Sequence, residues 1–132
     1  MAACAASAPA FVASASGRLD HLLSALLVIA SDRYRDVIVD AQLGKAAAHV
    51  IRGERVLSGE PGETVSLFAI HGAATGVTTE RLRYPLDGER LEPGSSRGLS
   101  NLFTAPEASV CVARGVIVAV RPRGSAWAAA AP

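Results

Sequence analysis

The chain has 132 residues, of which half are hydrophobic and only 5% are aromatic. Its 13 basic and 12 acidic side chains leave a formal net charge of +1, which excludes the broad electropositive surface of a protein that binds nucleic acid or an anionic membrane by charge. No apolar run reaches the roughly 18–20 residues that span a bilayer. The length predicts one domain with a core of aliphatic side chains.

The cysteines and the N-terminus bear on the compartment. Cys4 and Cys111 are too few and too far apart in sequence for a disulfide framework or a metal cluster. The N-terminus is rich in Ala and small residues, as in a signal peptide, but it carries no Lys or Arg before Arg18 and its apolar run is interrupted by Pro9. Together these features favour a protein of the reducing cytoplasm.

The two ends of the chain predict disorder, and a helix follows the first of them. Residues 1–16 form a low-complexity Ala/Ser arm, although residues 10–13 can pair as a strand if a neighbour is available. Residues 122–132 have no period and predict a disordered tail. Leucines recur at helical spacing over residues 19–31. This helix is apolar around most of its circumference, which indicates a missing domain or a partner subunit that covers it.

Residues 36–121 predict short β-strands. Apolar segments alternate with Gly- and Pro-rich turns, a pattern typical of a β-sandwich or barrel. A strand over residues 74–82 is expected to bulge at Gly76. Near the C-terminus two apolar runs flank Arg114 and Gly115, which predicts a hairpin with a two-residue turn.

Two short motifs carry residue types suited to chemistry. At the start of the helix, Asp20 beside Arg18 can hold a metal or face a phosphate ester, but an Asp in a first helical turn is more often a cap. Ser100 and Asn101 follow a glycine, where a hydroxyl and an amide can read a heteroaromatic ring or simply close a turn. Tyr84 can stack on a planar ligand or cover the end of the sandwich.

Other polar residues favour structural roles. The hydroxyls of Thr78 and Thr79 more often satisfy neighbouring strands than ligands, and His49 and His71 lie in or beside strand patterns. The sequence contains no CxxC pair, HExxH, P-loop or nucleophile elbow.

Several segments resemble the thiamine pyrophosphokinase family. Residues 17–27, GRLDHLLSALL, resemble the family's GGRxDHxLANL segment, and residues 64–72 resemble its GTxVSLxPLxG. Residues 75–91, TGVTTERLRYPLDGERL, closely resemble VTGVTTxGLKWPLDGxxL. Residues 93–101 fit PGxxxGxSN, and the segment that closes the chain is similar to AxVxxxxGxLLV.

The resemblance covers residues 17–121 and implies an enzyme that transfers a pyrophosphoryl group from ATP to thiamine with Mg²⁺. It implies a homodimer with thiamine bound between domains and between subunits. The implied fold class is mainly β, a β-sandwich preceded by one helix left from a truncated α/β domain. The domains are then an arm at 1–16, a helical remnant of the catalytic domain at 17–35, a thiamine-binding sandwich at 36–121 and a tail at 122–132.

Matched motif by motif, the resemblance also implies roles for individual residues. Asp20 belongs to the catalytic acidic set near the metal and the thiamine hydroxyl, and Arg18 lies beside the phosphates. Tyr84 stands where the family usually has the stacking Trp, and Ser100 and Asn101 recognise the pyrimidine. The expected substrate-binding residues are therefore Ser100, Asn101, Tyr84 and Thr78.

The sequence departs from the family in one large respect. Most of the N-terminal α/β domain, with its Asp motifs for metal and ATP, has no counterpart here, and Ala25 stands where the family has Asn. We expect a fragment, a mis-started product or a degenerate paralogue with little or no kinase activity by itself. The alternatives are a non-catalytic thiamine-binding or dimerisation module and a plain β-sandwich interaction domain.

Overall fold

The computed structural model describes residues 9–14 and 17–124. In this part of the chain no helix is long and apolar enough to cross a membrane. The elements in chain order are β1 (Pro9–Ser14), α1 (Leu19–Ile29), a 3₁₀ turn (Asp32–Tyr34), β2 (Ile38–Leu43), β3 (Ala46–Ser58), β4 (Thr64–Ala69), β5 (Ala74–Glu80), β6 (Glu89–Leu91), β7 (Asn101–Leu102) and β8 (Glu107–Arg121).

The first layer is a sheet in the order β1-β2-β3-β8-β4-β7. β1 runs parallel to β2, and the other neighbours are antiparallel. The expectation of disorder is therefore corrected for Pro9–Ser14, because β2 offers the neighbour with which this segment pairs. Residues 1–8 and 15–16 of the arm and 125–132 of the tail lie outside the described residues, so disorder there stays a prediction.

Two long strands, β3 and β8, belong to both layers. Residues 47–51 of β3 pair with the C-terminal half of β8 in the first layer, and residues 53–58 pair with its N-terminal half in the second. In the second layer β5 pairs with the other edge of β8, and β6 pairs with β5. The register shifts between Ile51 and Gly53, where both strands pass from one layer to the other.

The hairpin predicted at Arg114 and Gly115 is wrong. β8 continues through both residues, because its two halves pair with other strands and not with each other: Arg114 lies opposite Thr75 of β5, and residues 117–120 pair with β4. Gly115 has a φ of 96°, and a Cβ there would lie 2.6 Å from the carbonyl oxygen of Ala73. The glycine permits a bend within a strand and a close approach of β5.

β5 matches the strand predicted over residues 74–82, although it ends at Glu80. Its register against β6 shifts between Ala74 and Val77, and Gly76 has a φ of 62°. The expected bulge at Gly76 is therefore confirmed.

The core between the two layers confirms the β-sandwich. In β8, Ile117 and Ala119 of the first layer and Val110 and Val112 of the second are all buried in one apolar cluster. As the composition predicted, most of its side chains are aliphatic. The same cluster includes Ile51, Leu57, Val65, Leu67, Val77, Leu82, Leu86, Leu91 and Phe103.

α1 covers the outer face of the first layer and ends two residues before the predicted position. Ile29 is buried against a second apolar cluster that contains Val39, Val50 and Val118. The sheet covers only one side of the helix. On its other side it exposes the apolar side chains Leu19, Leu23, Leu27 and Val28.

Two side chains fasten the C-terminal end of α1. Arg52 donates to the carbonyl oxygens of Ala30 and Ser31, each at 2.9 Å. The Nε2 of His71 lies 2.7 Å from the carbonyl oxygen of Leu27. These contacts satisfy carbonyls that the end of a helix leaves without intrahelical partners.

Candidate functional site

Two segments lie side by side at the edge of the sandwich: the Tyr84 segment, residues 82–88, and the Ser100 loop, residues 95–101. Leu82 forms an antiparallel bridge with Phe103, and the N–H of Arg83 donates to the carbonyl oxygen of Leu102 at 2.9 Å. This pairing places Tyr84 opposite Asn101.

The side chain of Asn101 joins the two segments. It is 3% exposed, and its Oδ1 accepts from the N–H of Tyr84 at 3.0 Å and from that of Leu102 at 2.9 Å. Its Nδ2 donates to the carbonyl oxygen of Tyr84 at 2.8 Å. Asn101 therefore holds both main-chain polar groups of Tyr84.

The Ser100 loop docks on β4. The N–H of Leu67 donates to the carbonyl oxygen of Gly98 at 2.9 Å, and the N–H of Ser100 donates to the Oγ of Ser66 at 2.9 Å. Ser100 has a φ of 58°, an uncommon conformation for a residue with a side chain. The Ser66 hydrogen bond stabilises this conformation, and the side chain of Ser100 stays exposed.

Two threonines of β5 brace the far end of the Tyr84 segment. Thr78 Oγ1 accepts from the N–H of Gly88 at 3.0 Å, and Thr79 Oγ1 accepts from the N–H of Leu86 at 2.9 Å. Both hydroxyls thus bond to backbone within the chain, which is the structural role expected of them. Thr78 thus fixes the backbone at Gly88, at the end of the Tyr84 segment.

The exposed groups of this surface suit a flat ligand. The side chain of Tyr84 is 51% exposed, and the guanidinium carbon of Arg83 lies 5.7 Å from its ring centroid. Ser100 is exposed on the adjacent loop, next in the chain to Asn101. An aromatic face with a neighbouring donor and acceptor is an arrangement that binds planar heteroaromatic rings.

Arg18 and Asp20 lie apart from these groups, at the N-terminal end of α1. Their side chains form a two-bond ion pair with distances of 2.7 and 3.2 Å, and each is 65% exposed. Asp20 lines a cleft of about 570 Å³ with Tyr34 and His71. None of Thr78, Tyr84, Ser100 and Asn101 lines this cleft.

The carboxylate of Asp20 belongs to no cluster of metal-ligating side chains among the described residues. Mg²⁺ prefers oxygen ligands arranged as an octahedron. Within residues 9–14 and 17–124 no group of three or more His, Cys, Asp or Glu residues is placed to hold a metal ion. A metal would therefore need ligands in addition to Asp20.

A buried polar network was missed by the reading of the sequence. Asp40 of β2 and His49 of β3 are register partners, and Asp40 Oδ1 lies 2.8 Å from His49 Nδ1. Arg55 donates to both oxygens of Asp40, at 2.8 and 3.2 Å. On the other side Arg121 pairs with Glu63 at 2.7 and 2.9 Å, and its guanidinium lies 3.5 Å from His49 Nε2.

Burial and pairing set the protonation of this network. Burial lowers the pKa of His49 more than Asp40 raises it, so the imidazole is neutral near pH 7. Because the Arg121 guanidinium can only donate, Nε2 accepts and Nδ1–H donates to Asp40. Burial acts to raise the pKa values of Asp40 and Glu63, but hydrogen bonds and charges from their partners outweigh it and lower both.

A comparison with protein families decides the classification. The family model for the thiamin pyrophosphokinase vitamin B1 binding domain matches residues 48–117, more than half of the chain. The chain belongs to this family. The matched residues include all of the Tyr84 segment and the Ser100 loop. A search of curated proteins found no match.

Solved structures share the fold of this vitamin B1 binding domain. Thiamine pyrophosphokinase from Bacillus subtilis superposes with a TM-score of 0.76 at 15% identity, over 89% of this chain and 56% of that one. A thiamin pyrophosphokinase family protein from Enterococcus faecalis gives 0.71 at 20% identity, over 87% and 55%. Thiamin pyrophosphokinase from Candida albicans gives 0.69 at 15% identity, over 90% and 46%. The chain thus spans about half the length of these proteins.

Proposed function

We propose that the surface formed by the Tyr84 segment and the Ser100 loop binds thiamine. The observation that carries the proposal is the match of residues 48–117 to a vitamin B1 binding domain, since this range contains Thr78, Tyr84, Ser100 and Asn101. The half-exposed ring of Tyr84 offers a stacking face for the pyrimidine, and the Ser100 hydroxyl offers a hydrogen bond to its edge.

From the family, we propose that the protein acts in the cytoplasm as a thiamine diphosphokinase. ATP is the co-substrate, its pyrophosphoryl group passes to the thiamine hydroxyl, and AMP leaves. Arg18 would face the phosphates, and Asp20 would lie near the thiamine hydroxyl and supply one ligand to a Mg²⁺ ion that neutralises phosphate charge. Phosphoryl transfer depends chiefly on positioning and charge neutralisation, for which exposed charged side chains at the start of α1 are suited.

The arrangement of these groups supports a homodimer in this proposal. Asp20 lines a cleft that the residues proposed to bind thiamine do not share. In a homodimer, Asp20 of one copy would meet the thiamine-binding surface of the other. In the same proposal residues 17–35 belong to a catalytic α/β domain and residues 36–121 form the thiamine-binding sandwich.

The alternative is a non-catalytic thiamine-binding or dimerisation module. One observation favours it: the described residues offer a single carboxylate at α1 and no metal cluster. Under this alternative the surface binds thiamine and no product forms.

Calorimetric titration of thiamine into the purified chain tests the binding surface, and chromatographic detection of thiamine diphosphate with ATP and Mg²⁺ tests catalysis. We expect binding that is lost when Tyr84→Ala and Ser100→Ala are combined, with little or no product. Absence of heat, or equal binding by the double variant, contradicts the binding surface. Product formation that Asp20→Asn abolishes would favour the enzyme over the module.

A further inference from the structure

We propose that Asn101 is a positioning residue, which acts on thiamine only through Tyr84. The inference rests on the proposed function, because it concerns how the thiamine-binding surface is built. It assigns direct contact to Tyr84 and Ser100 and gives Asn101 the task of fixing where the Tyr84 ring stands.

The hydrogen-bonding capacity of Asn101 is the first argument. A carboxamide oxygen accepts two hydrogen bonds and its nitrogen donates two. Oδ1 already accepts from Tyr84 and Leu102, and Nδ2 already donates to Tyr84. Three of the four hydrogen-bonding positions of the amide are therefore occupied within the chain, and the residue is only 3% exposed, so the amide has little capacity left for a ligand.

The position of Tyr84 is the second argument. Asn101 holds both its N–H and its carbonyl oxygen, and Pro85 follows with a fixed φ. Beyond the proline, Thr79 bonds Leu86. The backbone of Tyr84 is thus fixed on both sides, and only its side-chain torsions are free to adjust an exposed ring. Loss of the Asn101 amide would release this backbone and lower the fraction of rings in a stacking position.

A double-mutant cycle tests this dependence by calorimetric titration of thiamine. Tyr84→Ala should weaken binding about tenfold, the effect of one lost stacking contact. Asn101→Ala should weaken it by up to the same factor, because its effect passes through the Tyr84 ring. The double variant should bind no more weakly than Tyr84→Ala alone. Asn101→Ala combined with Ser100→Ala should instead show multiplied effects. If the effects of Asn101→Ala and Tyr84→Ala multiply as well, Asn101 contacts thiamine directly and the proposal is overturned.

Amide hydrogen exchange gives a readout that does not need thiamine. The Tyr84 amide should exchange slowly in the wild-type chain and much faster in Asn101→Ala. Asn101→Asp keeps the acceptor for that amide but places a second oxygen against the Tyr84 carbonyl oxygen, so it should restore only part of the protection. Ile29→Ala, at the end of α1, should lower stability. It should leave both the thiamine affinity and the protection of the Tyr84 amide unchanged.

The two proposals fail in different ways. If the wild-type chain binds no thiamine, the proposed function fails, and the exchange data still decide the positioning role. Faster exchange at Tyr84 in Asn101→Ala then supports the part of the proposal in which Asn101 fixes the Tyr84 backbone. Unchanged exchange overturns it whatever the outcome with thiamine.

Discussion

At the scale of single residues, one glycine sets how closely the Ser100 loop approaches β4. The carbonyl oxygen of Gly98 accepts from the N–H of Leu67, and a Cβ on Gly98 would lie 2.4 Å from the carbonyl oxygen of Leu67. Ser100 follows two residues later and is bonded to Ser66. The position of the Ser100 hydroxyl therefore depends on the absence of a side chain at Gly98.

Gly98→Ala should lower the free energy of unfolding by about 1–3 kcal/mol, because the added methyl overpacks a backbone contact. Thiamine affinity should fall with it. Urea unfolding and thiamine titration measure the two effects. Gly17→Ala is the matched control, since a Cβ there meets nothing within 4 Å. A Gly98→Ala chain as stable as this control would show that the loop moves away without cost.

The buried network makes stability depend on pH through His49. The ordinary pKa of 6.5 is lowered in the folded chain, so below about pH 6.5 the unfolded chain binds a proton that the folded chain excludes. The free energy of unfolding should therefore decrease as the pH falls below about 6.5, by at most about 1.4 kcal/mol per pH unit for one proton. Asp40 and Glu63, with lowered pKa values, add losses only at more acidic pH.

Urea unfolding at pH 7.5, 6.5 and 5.5 measures this dependence. His49→Gln should flatten it, and His21→Gln, at an exposed position, should leave it as in the wild-type chain. A wild-type stability that is constant from pH 7.5 to 5.5 would contradict the assignment of His49 as a buried neutral side chain.

The sequence identified the exposed residues of the candidate site better than its buried ones. Tyr84 and Ser100 stand out through turn chemistry and family motifs, and the structure places them together. Asp40 and His49 give only a weak signal, a polar residue within an apolar strand, because their partner across the sheet is set by register. The division of tasks between Asn101 and Ser100 likewise depends on burial, which a local motif does not specify.

At the scale of elements, side-chain hydrogen bonds from the sheet hold the C-terminal end of α1. Arg52 of β3 donates to Ala30 and Ser31, and also to the carbonyl oxygen of Tyr34 at 3.3 Å. The Nε2 of His71 adds a contact with the carbonyl oxygen of Leu27. This attachment determines how firmly the helix carries Arg18 and Asp20.

Arg52→Ala should therefore loosen α1 more than the strands. Amide exchange over residues 19–29 should accelerate at least several-fold, since three carbonyl partners are lost, and exchange in β8 should change little. Arg35→Ala, which removes an exposed arginine of the same region, is the control and should leave exchange in α1 unchanged. Equal acceleration in both variants would mean that charge, and not the capping bonds, holds the helix.

Local signals predicted α1 and the bulge at Gly76, because leucine spacing and a glycine in a strand act over a few residues. They did not predict that β3 and β8 are long continuous strands. A glycine between two apolar runs is compatible with a reversal and with a bend. The strands that pair with each apolar run decide between a reversal and a bend. Here those partners, Thr75 of β5 and the residues of β4, come from distant parts of the chain.

At the scale of the whole molecule, the shared strands make the two layers interdependent. Leu57 is buried in the half of β3 that belongs to the second layer, and Val50 in the half that belongs to the first. Neither layer retains its full set of pairs if the other opens.

Leu57→Ala and Val50→Ala should each shift one and the same urea transition, with losses of about 2–5 and 1–3 kcal/mol from the buried methyl groups removed. Fluorescence and circular dichroism should report coincident midpoints in both variants. A second transition in either variant would show that the layers unfold separately.

The central place of β8 also bears on how the protein emerges from the ribosome. This strand is made last among those of the sandwich, yet it pairs with β3, β4 and β5. Its pairs with β3 span 49 residues between Ser58 and Glu107 and 74 between Ala47 and Arg121. During synthesis β3, β4 and β5 therefore lack their shared pairing strand until β8 has been made. Neither layer can complete its strand pairing until β8 has left the exit tunnel.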